Sequence, residues 1–177
     1  MGDDAVRTSE HAASSLGRFT PDPAGAAMAE VRLLRTPLPL LMASREHHDG
    51  LMREFRLLAM EGHLAETDAP LRLIELTRIL GEQYASSRSR RDEEIDAAFA
   101  RGEEVLDIVD VVPVTAADAV HGLRPLMEEC DRFCEQAVLM TLPRPPLIRQ
   151  FADWYFDQYV DQIAGRPARA WDGPIRP

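Results

Sequence analysis

The chain has 177 residues, 20 basic against 30 acidic side chains, a formal net charge of −10 and 45% hydrophobic residues. That is enough for one domain of ordinary size whose core folds without disulfides or a metal. The charge argues against direct binding to nucleic acid or to an anionic membrane, because both need a cationic footprint.

The N-terminal stretch, residues 1–28, carries Asp3 and Asp4 and lacks an apolar segment, so it does not read as a secretory signal. Its Ser, Thr, Ala, Gly and Pro have no periodicity, and a disordered leader is expected. Val31–Leu34 is short and apolar, either a strand or an extended lead-in. Pro37 and Pro39 suit a helix's first turn, where a missing N–H costs little. From there Leu41, His48, Leu51, Met52, Phe55, Leu58 and Ala59 repeat at helical spacing up to Gly62, with Gly50 a weak point inside. A second helix is expected from Pro70, with Leu73, Leu76, Leu80 and Tyr84 on one face.

Ser86 to Arg91 reads as a Ser/Arg turn, with Ser89 and Asp92 resembling a capping box. A third helix over 90–101 should end at Gly102. The β-branched run Val105–Val112 before Pro113 fits an extended arm, a short strand or a last helical turn, and its composition favours extended. Thr115 and Asp118 signal a fourth helix reaching Met140, with Val120, Leu123, Met127, Cys130, Cys134 and Ala137 inward. Pro125 should kink or split it. After a Pro-rich linker, a fifth helix runs from Pro146 to Ala164 and stops at Gly165. The expected fold class is therefore all-α, a bundle of about five helices over residues 29–165, with a Pro/Gly-rich extended tail over 166–177.

Four groups of residues invite a chemical reading. Glu46, His47, His48 and Asp49, with Glu54, Glu61 and His63, have the residue types of a di-iron site. No Glu-x-x-His pair occurs, however, and His47 and His48 diverge by about 100° on a helix, so no metal or cofactor is expected. Arg45 and His48 interrupt the apolar stripe of Leu41, Met52 and Phe55, and a buried charge there should be met by an acid from another helix or subunit. His47 should face water. Cys130 and Cys134 are four apart on an apolar face, where free thiols behave as small hydrophobes; His121 lies one face away. Two cysteines so placed make no disulfide framework.

The stretch from Asp92 to Asp110 holds eight acids against one Arg and reads as a solvated face, with the basic spot Arg88, Arg90 and Arg91 just before it. In the fifth helix Asp153, Asp157 and Asp161 form a polar ridge. Phe151, Trp154, Tyr155, Phe156 and Tyr159 cover the remainder, five of the chain's 11 aromatics. Such a helix is either the centre of the core or a surface shared with a partner.

Val31–Leu34 before a Pro, Glu46–Asp49 with Leu51–Phe55, Leu106-Asp107 before Val112-Pro113, and Trp154-Tyr155 leading to Gln162–Gly165 with Trp171 beyond are taken together. They resemble an uncharacterised family of small all-α proteins from high-GC actinobacteria, associated with anti-sigma-type ATP-binding and STAS regulators. The resemblance spans Val31 to Trp171; it implies a regulatory setting and carries over no catalytic or binding residue.

Phosphate loops, nucleophile elbows and zinc-protease motifs are absent from the sequence. The expected function is that of a non-enzymatic regulatory or adaptor protein in the cytoplasm. It would act as a homodimer or with a protein partner through Phe151, Trp154, Tyr155, Tyr159, Arg88, Arg90 and Arg91. The alternative is a small-molecule sensor with a pocket at Arg45, His48, Cys130 and Cys134. A helical enzyme using Glu54 or His48 as acid or base comes third.

Overall fold

The computed structural model describes residues 27–61, 69–83, 85–136 and 139–177, and of residues 69, 76, 79–83 and 85–90 the backbone alone. Two strands, β1 (Met28–Pro37) and β2 (Val105–Pro113), frame the chain with five helices: α1 (Leu38–Met60), α2 (Ala69–Gln83), α3 (Ala85–Ala100), α4 (Ala116–Glu135) and α5 (Pro146–Ile163). The expected leader lies outside the described residues except for its last two, and Met28 already belongs to β1.

The sheet overturns the all-α expectation: the fold is mixed, five helices around a two-stranded antiparallel ribbon. Val31 pairs with Asp110 and Leu33 with Ile108, and Thr36 with Leu106 beyond an irregularity at 34–35. The two runs are separated by three helices, so neither declares its partner locally. Period-2 alternation places Val31, Leu33, Ile108, Asp110 and Val112 inward and leaves Glu30, Arg32, Val109 and Val111 outward.

At the irregularity Arg35 takes a left-handed backbone, φ 54°, which costs a residue with a Cβ. Its N–H donates to Asp107 Oδ1 at 2.6 Å, and the Leu34 carbonyl accepts from Trp171 N–H at 3.0 Å. On the same strand the Gln162 side-chain amide exchanges two 2.9 Å hydrogen bonds with the Arg32 backbone, standing in for a further strand at that edge.

The helices follow the apolar periodicity with local differences. Helix α1 carries Pro within its first two positions and runs through Gly50. Helix α3 begins at Ala85, so residues 85–90 are helical instead of forming a turn. Helix α4 remains one helix through Pro125 and stops at Glu135, short of Met140; Thr115 sits at its N-cap without a side-chain capping bond. Gly102 (φ 78°) and Gly165 (φ 81°) supply the positive φ that ends α3 and α5.

Two apolar cores result. The first joins the ribbon's inner face to the start of α1 and to Ile95, Ala98, Ile148, Phe151, Tyr159 and Trp171. The second joins Leu51, Met52 and Phe55 of α1 to Leu73 of α2 and to Leu126, Cys130 and Cys134 of α4. The tail beyond Gly165 has no regular secondary structure but folds back on the molecule, with Trp171 only 3% exposed. Among the described residues, no helix is long and apolar enough to cross a membrane, and no group of three His, Cys, Asp or Glu is placed to hold a metal ion.

Candidate functional site

Where the two cores meet, the packing leaves a cavity of about 400 Å³. Leu33, Leu41 and Ile108 line it from the first core, and Leu123 and Met127 from beside the second, with Phe156 of α5 on the same wall. The polar lining is Ser44, Arg45, His48 and Asp49 of α1, Thr77 of α2, Arg91 and Asp92 of α3, and Tyr155 of α5. The cavity is a half-open cleft, and a concave apolar wall with convergent polar groups is the usual form of a small-molecule site.

Arg45, Asp92, Arg91 and Tyr155 belong to one connected network, in which Arg91 Nε also lies 3.7 Å from Asp92 Oδ1. Arg45 Nη2 donates to Asp92 Oδ1 at 2.6 Å, and Nη1 reaches Asp96 at 3.4 Å. An acid from another helix thus meets the Arg45 charge, as a charge on an apolar stripe requires. Arg91 Nη1 donates to Asp110 Oδ2, and Tyr159 Oη donates to the same oxygen at 2.8 Å. Tyr155 and Tyr159 hydroxyls lie 3.0 Å apart. Asp110 is 6% exposed on the inner face of β2, so this acid is not part of a solvated run. It is tolerated because a guanidinium and a phenol both donate to it.

Burial, Tyr155 and Asp110 together hold the Tyr159 hydroxyl well above the ordinary phenol range, so it stays a donor. Arg91 is engaged within its own chain. The side chains of Arg88 and Arg90 lie outside the described residues.

The pocket expected at Arg45, His48, Cys130 and Cys134 divides in two. Arg45 and His48 line the cavity, while both cysteines are buried in the second core. Burial pushes the Cys130 thiol up to about 12 and the Cys134 thiol up to about 11, values suited to packing and not to nucleophilic chemistry. His121 is exposed on α4.

The aromatic helix turns inward. Phe151 and Tyr159 are buried, and Trp154 meets Trp171 of the tail at 5.6 Å between ring centroids while its indole N–H donates to the Arg169 carbonyl at 3.1 Å. Phe156 has the Arg124 guanidinium 5.8 Å above its ring, and Arg124 pairs with Asp157 at 2.5 Å.

A second polar cluster lies under α1. Arg144 and Asp131, both under a tenth exposed, are joined by four contacts of 2.7–3.2 Å. His47 is half-buried beside this pair instead of facing water, and its Nε2 is enclosed without a hydrogen-bond partner. Desolvation lowers its pKa, opposed by Asp131 and helped by Arg144. Glu54 accepts from Thr141 N–H at 2.9 Å and Thr141 Oγ1 at 2.7 Å, and from Met140 N–H. Burial pushes its carboxyl up, but these bonds outweigh it and hold the group below the usual carboxylate range, so Glu54 braces the segment after α4. His63 lies outside the described residues.

The Asp110–Tyr159–Arg91 core of the network escaped the sequence reading. The one signal for it was an acid in the middle of the β-branched run Val105–Val112. No protein-family model, curated protein or solved structure matches this chain.

Proposed function

We propose that this protein binds a small organic molecule in the cavity between its two cores and acts as a cytoplasmic sensor in a regulatory setting. One observation carries the reading: a cavity of about 400 Å³ with an apolar wall and eight polar side chains along its lining. It is wide enough for a ligand of roughly a dozen non-hydrogen atoms and lies where α1, α3, α4, α5 and the ribbon converge. A molecule lodged there would touch both cores and so couple their packing. Native mass spectrometry of gently purified protein tests this: the expected result is a mass above the 19.8 kDa polypeptide that is lost on denaturation. A Leu123→Trp variant, which fills the cavity, should return the bare mass. A wild type that carries no adduct and takes up none from a metabolite extract would refute the reading.

A second reading, an adaptor working through protein contacts as a homodimer, is supported by the ribbon's outer face. Met28, Val109 and Val111 are 55%, 56% and 49% exposed there. Sedimentation at micromolar concentration should then give a multiple of 19.8 kDa that Val109→Glu reduces to one copy. A monomer in both proteins would remove the homodimer.

A further inference from the structure

Hydrogen-bond direction around the cavity is set by proton counting. A phenol has one proton to donate and two lone pairs to accept with, whereas a carboxylate facing a guanidinium has lone pairs only. Tyr159 directs its proton to Asp110 Oδ2 at 2.8 Å, the oxygen that Arg91 also donates to. The remaining positions on Tyr159 Oη are filled by Arg91 Nη1 at 3.5 Å and by Tyr155 at 3.0 Å. With the Tyr159 proton committed, Tyr155 is the donor of that pair. Tyr155 lines the cavity and Tyr159 does not, so the phenol that a ligand meets can only accept.

The charges agree with this polarity. Arg45 and Arg91 on the wall are each tied to acids: Asp92 and Asp96 for the first, Asp110 for the second. On the lining itself Arg45 and Arg91 stand with Asp49 and Asp92, and Asp96 and Asp110 lie behind it, so the charged network as a whole holds two cations and four acids. An incoming anion would meet an acceptor beside a network with more acids than cations; an incoming cation with N–H donors suits both.

We propose that the ligand is an amphipathic amine, with an apolar body against Leu123, Met127 and Phe156 and a protonated amino group donating to Tyr155 Oη. This rests on the ligand-binding reading above. The assignment also says what Tyr159 does: it is a positioning residue that fixes the acceptor sense of Tyr155.

The test is isothermal titration with four probes on one hydrocarbon frame: 4-phenylbutylamine, 4-phenylbutanol, 4-phenylbutyrate and the methyl ketone 5-phenylpentan-2-one. The amine should bind the wild type about ten-fold tighter than the carboxylate, with the ketone weakest of the neutral pair. Tyr155→Phe should remove most of the amine's advantage. Tyr159→Phe keeps the ring but frees the Tyr155 proton to turn into the cavity, so the ketone should gain several-fold while the amine loses. A purely structural role for Tyr159 would weaken all four probes alike, and that result would overturn the proposal. Tighter binding of the carboxylate or ketone than of the amine by the wild type would overturn it too, while leaving a ligand-binding cavity in place. Binding of none of the four would take down both.

Discussion

Replacing Trp171 by Ala tests whether the tail is part of the folded core. The indole is 3% exposed, and its ring lies edge-on to Phe151 and Trp154 at centroid distances of 5.8 and 5.6 Å. Its N–H donates to the Pro174 carbonyl at 2.9 Å, and its backbone N–H holds the Leu34 carbonyl at the ribbon's irregularity. A buried Trp removes about 200 Å² from water, which at about 25 cal/mol per Å² is about 5 kcal/mol, part of which the Ala side chain retains. The expected loss is therefore about 4 kcal/mol, within the range for Trp→Ala in cores and a large share of a small domain's stability. Urea unfolding followed by circular dichroism should show a lower midpoint at nearly unchanged slope. The emission of the remaining Trp154 should shift to the red as its cover is lost. Arg166→Ala and Arg169→Ala serve as controls: both arginines that pair with Asp161 are well exposed, and each substitution should cost under about 1 kcal/mol. A loss below about 1 kcal/mol for Trp171→Ala would refute the reasoning and leave the tail as an appendage.

Other outcomes follow from the same packing. Asp131→Ala strands the buried Arg144 guanidinium and should cost about 3–5 kcal/mol in urea unfolding, whereas replacing both partners by apolar residues should cost far less. Cys130 and Cys134 should react with a thiol reagent in the native protein only on unfolding, at neutral pH and well above it, because burial raises both thiols. His47 has a native pKa below its unfolded 6.5, so the unfolded chain binds more protons as pH falls through 6.5. Stability should drop from about pH 6.5 downward, and His47→Leu should flatten that limb of a urea-midpoint profile. An unchanged profile would mean that His47 is solvated in the folded state.

Much of the helical framework was legible because its signal is local. Leu41, Leu51, Met52 and Phe55 mark α1's inner face within one segment, and Gly102 and Gly165 mark helix ends at the positions where positive φ is needed. The ribbon was not legible as a sheet. Val105–Val112 read as extended and Val31–Leu34 as a strand or lead-in, but each needed a partner some 70 residues away to satisfy its backbone. Without that pairing, two extended segments beside five helices read as an all-α chain.

The same division runs through the site. The intrusion of Arg45 and His48 on an apolar stripe was visible in the sequence, because helical period places them in line with Leu41 and Met52. Their cavity was not, since Arg91, Tyr155 and Leu123 reach it from three other helices. The Asp110 carboxylate, 19 residues from Arg91 and 49 from Tyr159, becomes a buried acceptor only when β2 turns one face inward and α3 and α5 pack over it. The sequence by itself determined which segments are helical and that Gly102 and Gly165 end two of them, because those follow from neighbours within a turn or two; the start of α3 and the end of α4 fell elsewhere. Which charges are buried, which aromatics are covered by the tail, and which phenol donates were decided by the tertiary structure alone. Desolvation and hydrogen-bond partnership exist only between segments that the chain brings together in space.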